Sequence, residues 1–357
     1  MAEDLAQGRS LALAMPARPP DGWLDALRQA LRDRASLEVE RMSANGDAPL
    51  AQLASRFAGA DAANLPALVV APAFAGQCVA ILDVPGEHWA AWCALLTQFE
   101  VATRGCSLFA RPRLLVAGGA VALSSPPAPQ PGLIAHRWNG AAAPLDLRLY
   151  AAILFEEAAG PPWQRQLAAA VSAELALWDP ELCEFCRRLT LADLLDPLVP
   201  LQNWAAERCW SAEDPAMNEA AAWHLGCRHE CDGQPREHAA WLALRGDQAS
   251  LAQRVWSAQV GVLFPLLERH RQSLIGRWPR RLTVPYTTPS GQRIEDRRDL
   301  ELAHIAAQWR GLTDMRRERE FAVWLRDLRN CLAHGEPVAA DVLQSPMWQE
   351  RFGRPEQ

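Results

Sequence analysis

Lysine is absent: all 36 basic side chains in the 357 residues are arginine. That excludes a P-loop lysine on a phosphate, and any Schiff base to a carbonyl or to pyridoxal phosphate. Long apolar runs are missing too. Even residues 66–74, among the longest, fall far short of the roughly 18 residues that a membrane span needs. The motifs HExxH and GxSxG, paired catalytic carboxylates and an EF-hand loop do not occur, so metalloprotease, α/β-hydrolase and calcium-binding readings lack support. The N-terminus carries Glu3 and Asp4 early and only 11–15 as an apolar stretch, which is not the pattern of a signal peptide, and the cytoplasm is the expected location. Nine cysteines, an odd number without an export signal, point to reduced thiols rather than a disulfide framework.

What is present is an ordinary globular composition. Half the residues are hydrophobic, 22% are charged and the mean hydropathy is −0.13, while the length suggests two domains. The net charge of −6 is unevenly spread. Residues 269–329 hold fourteen Arg against eight acids, so the remainder is strongly acidic. A basic segment of this kind invites an anionic partner, with a solvated charged helix face as the plain alternative.

In the N-terminal part, short apolar runs alternate with amphipathic stretches. The pattern predicts strands over 11–15, 37–42, 65–70, 78–84, 113–117 and 133–138, with helices over 21–33, 49–58 and 88–103. Strands that alternate with helices predict a parallel sheet in an α/β domain. This order of elements resembles a P-loop NTPase of the AAA/STAND kind, and Val79–Asp83 is similar to its hydrophobic strand ending in a metal-site Asp. The resemblance fails at the chemistry. After the first strand come Pro16, Ala17, Arg18, Pro19 and Pro20, with no glycine loop, and prolines cannot present a row of backbone N–H groups to phosphates. The resemblance therefore implies a degenerate fold that is no ATPase, in which Asp83 is a structural remnant and Gly118-Gly119 is a turn.

From residue 144 the pattern is nearly all helix, over 145–159, 163–178, 180–191, 236–276, 299–312 and 314–333, with a loop or small hairpin at 279–293. Gly335 and Pro337 predict the end of the last long helix. At that end stand Arg329, Asn330, Cys331, Leu332, Ala333 and His334, an R-N-x-x-x-H run followed by Gly335. This run resembles the signature of the HEPN superfamily, helical-bundle domains that are often metal-independent RNases. The resemblance implies that His334 moves protons at the ribose 2′-oxygen and the leaving 5′-oxygen, that Arg329 stabilises the phosphate, and that Asn330 orients the phosphate or the histidine. An ideal helix turns about 500° over five residues, so Arg329 and His334 do not share a face. They would converge if the helix end unwinds, or across a homodimer, the arrangement the resemblance implies. Plain structural readings also fit: Arg329 paired with Asp327 or Glu336, and His334 as a C-cap favoured by the helix dipole.

Two further features have structural alternatives. Cys183 and Cys186 form a CxxC, with His224, Cys227, His229 and Cys231 about 40 residues on. Zinc would want four such ligands, but the CxxC falls on a predicted helix, where thiols serve as small buried hydrophobes. Eight tryptophans between Trp204 and Trp324 are read as core anchors rather than base-stacking platforms.

The expected organisation is a P-loop-like α/β domain at 1–143, a helical connector at 144–210, a HEPN-like bundle at 211–345 and a tail at 346–357. The expected activity is metal-independent RNA cleavage by Arg329 and His334, with Asn330, in a bacterial antiphage defence or toxin–antitoxin system. No cofactor or metal is expected. The expected partners are RNA, a second copy through the helical domain and a protein at the N-terminal domain, with no membrane. The alternative is a non-catalytic scaffold subunit built from the same parts.

Overall fold

A computed structural model describes residues 1–46, 48–58, 64–138, 142–211, 219–231 and 233–353. The chain forms two units, each with its own core: Met1–Ala141 with Glu213–Glu237, and Ala142–Ala212 with His238–Gln357.

The first unit is built on a five-stranded parallel sheet of β1 (Ser10–Ala14), β2 (Val39–Ser43), β3 (Cys78–Val84), β4 (Arg113–Gly118) and β5 (Leu133–Arg137), in the order β2-β3-β4-β1-β5. Strands buried on both faces read as continuous apolar runs, as Val79–Leu82 and Leu114–Ala117 do. The edge strands β2 and β5 alternate in burial instead. Trp89, Trp92, Leu96 and Phe99 of helix Gly86–Thr103 complete the core at three- and four-residue spacing. The stretch expected as a strand over 65–70 is a helix, Leu65–Val69. Asn64 Oδ1 accepts from Ala67 N at 3.0 Å, and Pro66 sits in the first turn, where its missing N–H costs nothing.

The segment Glu219–His224 and the antiparallel hairpin Arg228–Cys231/Gln234–Glu237 also belong to this unit. Trp223 is wholly buried in the sheet's core and donates to Trp138 O at 3.3 Å. The bundle expected from 211 therefore begins later, since the helical unit resumes only at His238. The expected boundary stretch lies, from 212 to 218, outside the described residues.

In the second unit, residues 144–210 are not a separate connector. Leu147, Trp163, Leu167 and Trp204 share one hydrophobic core with Leu263, Trp309, Leu325 and Trp348. Four helices matter below: α1 (Pro144–Leu154), α2 (Pro162–Ala176), α3 (Gln248–Arg277) and α4 (Arg316–Ala333). The helix expected over 236–276 is broken. Gly246 turns the chain at φ +70° after helix Ala239–Leu244, and Asp247 then caps α3 by accepting from Ser250 N at 3.0 Å. The loop or small hairpin expected at 279–293 is a hairpin, in which the two-residue strands Tyr286–Thr287 and Arg293–Ile294 pair. The architecture is thus a parallel α/β sheet plus a helical unit. Among the described residues no helix is long and apolar enough to cross a membrane.

Candidate functional site

The R-N-x-x-x-H run ends α4. His334 is the C-cap, and Gly335 at φ +85° closes a Schellman turn, donating from its N–H to Leu332 O at 3.2 Å while Glu336 N donates to Cys331 O at 3.1 Å. The helix stops there because glycine accepts the left-handed conformation at no steric cost. Leu325, Leu328 and Leu332 bury one face of α4 and turn Arg329, Asn330 and His334 to solvent.

Arg329 is paired with neither of its expected neighbours. Its Nη2 lies 3.7 Å from Glu301 Oε2, both side chains about half exposed, while Asp327 pairs with Arg326. Glu301 is held in turn. Arg271 of α3 donates to Arg298 O at 2.8 Å and Leu300 O at 2.6 Å, which fixes the turn leading into Glu301. The same guanidinium grips Glu268 with two bonds, of 2.6 and 2.8 Å. The Arg271 hydrogen bonds, then Gln272 and the charges of Arg271 and Arg329, hold the Glu268 carboxyl below its usual range despite partial burial. Arg329 thus stands in a band of alternating charge formed by α3, α4 and the Glu301 turn.

Asn330 and His334 make no side-chain hydrogen bond among the described residues. Arg329 and His334 are separated by about 7.5 Å of helix rise and by the rotation noted above, so one copy does not aim both at a single phosphate. Cys331, between them, donates its S–H to Glu336 O at 3.4 Å, and burial pushes its thiol up, away from thiolate reactivity. The sequence carried no short-range sign of Glu301, Glu268 or Arg271, which approach Arg329 from 28 or more residues away.

The first unit offers a cleft. At the carboxyl ends of β1, β3 and β4 lies a hollow of about 810 Å³, walled by Pro16, Pro19 and Pro20 and reached by Arg41, Asp83 and His224. Crevices of this kind, where the connections that leave neighbouring strands run off in opposite directions, are where open α/β sheets hold ligands. The phosphate-loop position, however, is pinned to a distant segment. Ala17 N donates to His224 O, at 2.6 Å, and His224 Nδ1 lies 3.1 Å from Met15 O. A Cβ at Gly119 would lie 2.7 Å from the His224 ring, so this glycine allows a close approach as well as a turn. Asp83 is exposed at the end of β3, at φ +57° beside a register shift, and its carboxylate has no hydrogen-bond partner among the described residues.

The thiols do not gather. Cys183 and Cys186 are buried in the helical core and desolvation pushes both up to about 12, whereas Cys227 and Cys231 belong to the α/β unit. Among the described residues no cluster of three His, Cys, Asp or Glu side chains could hold a metal. Trp204, Trp223 and Trp309 are fully buried, and Trp309 Nε1 donates to Arg281 O at 3.2 Å, as core anchors do.

A pair that the sequence did not signal lies elsewhere in the helical unit. His238, fully buried, faces Asp179 at 3.3 Å and stacks on Trp204 with ring centres 5.0 Å apart. Its Nδ1 accepts from Ala240 N at 3.2 Å, so Nε2 carries the proton toward Asp179. Burial outweighs the Asp179 bond and holds His238 below its ordinary value. His238 is closed off from solvent, while the Asp179 side chain stays partly exposed at the cap of helix Pro180–Cys186.

Compared with known proteins, the chain matches no family model and no curated protein.

Proposed function

We propose that the helical unit is a HEPN-type, metal-independent endoribonuclease of a bacterial antiphage defence or toxin–antitoxin system, with Arg329 and His334 as its catalytic residues. The observation that carries this reading is the R-N-x-x-x-H run at the exposed end of α4, terminated by Gly335 and set in an arginine-rich segment. The ribose 2′-oxygen attacks the phosphorus and the 5′-oxygen leaves, giving a 2′,3′-cyclic phosphate and a 5′-hydroxyl. Histidine suits both proton transfers because it titrates near neutrality. Arg329 supplies a cation that keeps its proton as charge builds on the phosphate, and Asn330 offers a neutral donor beside it. Since one helix turns the two groups apart, the reading places Arg329 of one copy against His334 of a second. RNA would displace Glu301 from Arg329, a modest cost because the pair is exposed.

The α/β unit is read as a degenerate AAA/STAND P-loop fold that docks or regulates a partner protein. The central place of β1 between β4 and β5 and the cleft at the strand ends support it. The prolines after β1 and the segment seated at His224 argue against nucleotide hydrolysis there. A second reading, a non-catalytic scaffold subunit, draws support from the engagement of Arg329 by Glu301.

The test is cleavage of labelled total RNA by the purified chain in excess EDTA, beside Arg329→Ala and His334→Ala. Activity with cyclic phosphate ends in the wild type, and its loss in both folded variants, is expected. Cleavage that survives in either variant, or none from a folded wild type, favours the scaffold.

A further inference from the structure

We propose that a second copy of this chain docks on the face formed by α1, α2 and α3, ridge into trough. The ridge is on α1. Leu145, Leu149 and Ile153 stand four residues apart on one flank and are 65%, 58% and 70% exposed, although Leu147 and Ala151 of the same helix are buried in the core. Three large apolar side chains in an i, i+4, i+8 row form the ridge by which helices pack, and a surface helix normally has polar residues there.

Beside the ridge runs a trough of about 530 Å³ between the same three helices. Its floor is small: Ala169 and Ala173 of α2, with Ala258 and Gly261 of α3. Gly261 is an independent observation. It sits exposed in the middle of a 30-residue helix, where glycine weakens the helix, and apart from its own helical turn and chain neighbours no described atom comes within 4 Å of the place its Cβ would take. The fold does not need a glycine there. A neighbour laid into the trough does.

Charge selects a copy of this chain over a nucleic acid as the neighbour. The trough's charged rim consists of Arg148 and Arg165 against Glu156 and Glu174, a neutral set that includes the 2.8 Å pair Arg148–Glu174. Two such rims meet without net repulsion, and the arginine excess lies elsewhere, in 269–329. A twofold axis beside α1 sets each ridge into the other trough, which is how an isologous interface uses one patch twice.

This face is separate from the end of α4. Trp256 and Gln259 of α3 reach toward α4, bonding Leu332 O and Val338 O, whereas Gly261 lies about 140° round the helix from Trp256. The inference therefore stands or falls apart from the nuclease reading.

The experiment is the mass of the full chain by light scattering after size exclusion, at micromolar concentration, for wild type, Leu149→Arg and Gly261→Arg. The wild type is expected at twice 39.4 kDa, or at a higher even multiple if the α4 ends also pair. Each variant is expected at half the wild-type mass, with unchanged helical circular dichroism, because both positions are exposed. A monomeric wild type overturns the proposal. So does a Gly261→Arg protein of undiminished mass beside a halved Leu149→Arg, which would put the ridge in some other place. RNA cleavage is measured on the same samples, so loss of activity and loss of mass are read separately.

Discussion

The two units are complementary in what they lack. The α/β unit has a cleft where open parallel sheets hold ligands, but prolines occupy the phosphate-loop position and that loop is bonded to His224, so no row of backbone amides is presented there. The helical unit has Arg329, Asn330 and His334 in solvent at the end of α4. A cleft alone binds without reacting, and exposed groups alone react only when a substrate or a second copy brings them together. The difference sets a cleft without a phosphate loop in one unit against exposed Arg, Asn and His side chains in the other.

The sharpest way to break that contrast is to exchange the sites. Arg329→Ala or His334→Ala is expected to lower RNA cleavage by at least about a hundredfold, the scale on which a transition-state donor acts. Asp83→Asn and Arg41→Ala are expected to leave the cleavage rate unchanged. Cleavage kinetics in EDTA read both, and a rate that follows Asp83 would move the chemistry into the cleft.

A second contrast concerns which unit owns residues 219–237. Trp223→Ala should destabilise by about 3–5 kcal/mol, the usual cost of emptying a buried tryptophan site. Amide exchange should accelerate in β1 and β4 and stay unchanged in α3 and α4. Protection lost in the helices instead would return the segment to the bundle.

Acid provides a third. Because burial depresses His238 in the folded state, the unfolded chain takes up its proton first as pH falls. The stability contributed by neutral His238 is full above about 6.5, its ordinary value, and is lost as pH falls from there through the depressed folded one. Asp179 has the same sign. Burial raises it, but the His238 bond, the Leu182 amide and Arg208 together hold it low, so its contribution too is lost in acid. Melting followed through the helical unit's tryptophans should fall between pH 7 and 5, and His238→Gln should flatten that slope.

The smallest expected effect is at Asp83. A non-glycine residue at positive φ is strained, so Asp83→Gly should stabilise the α/β unit by up to about 1 kcal/mol in denaturant titration. Destabilisation would mean that the carboxylate is held by a group still to be found.

Much of the fold was legible because its signals are local. Apolar runs such as Val79–Leu82 marked buried strands, three- and four-residue spacing marked helix Gly86–Thr103, and Gly335 marked the end of α4. Reading failed where a local device outweighed the pattern. Asn64 and Pro66 turned a β-branched run into a helix, and Gly246 with Asp247 cut one long helix in two. Of the candidate site, the R-N-x-x-x-H run and its exposed helix end were legible. Its acidic surroundings were not, because contacts between residues 28 or more apart leave no periodic trace.

The sequence by itself determined the elements, the missing phosphate loop and the absence of lysine chemistry, since caps, periodicity and residue type act within a few positions. Only the tertiary structure decided the strand order β2-β3-β4-β1-β5, the return of 219–237 to the sheet, the burial of His238 against Asp179 and the pairing of Arg329 with Glu301. These follow from which surfaces bury each other once the helices and strands exist. Packing of that kind is a property of whole faces, and no single stretch of the chain carries it.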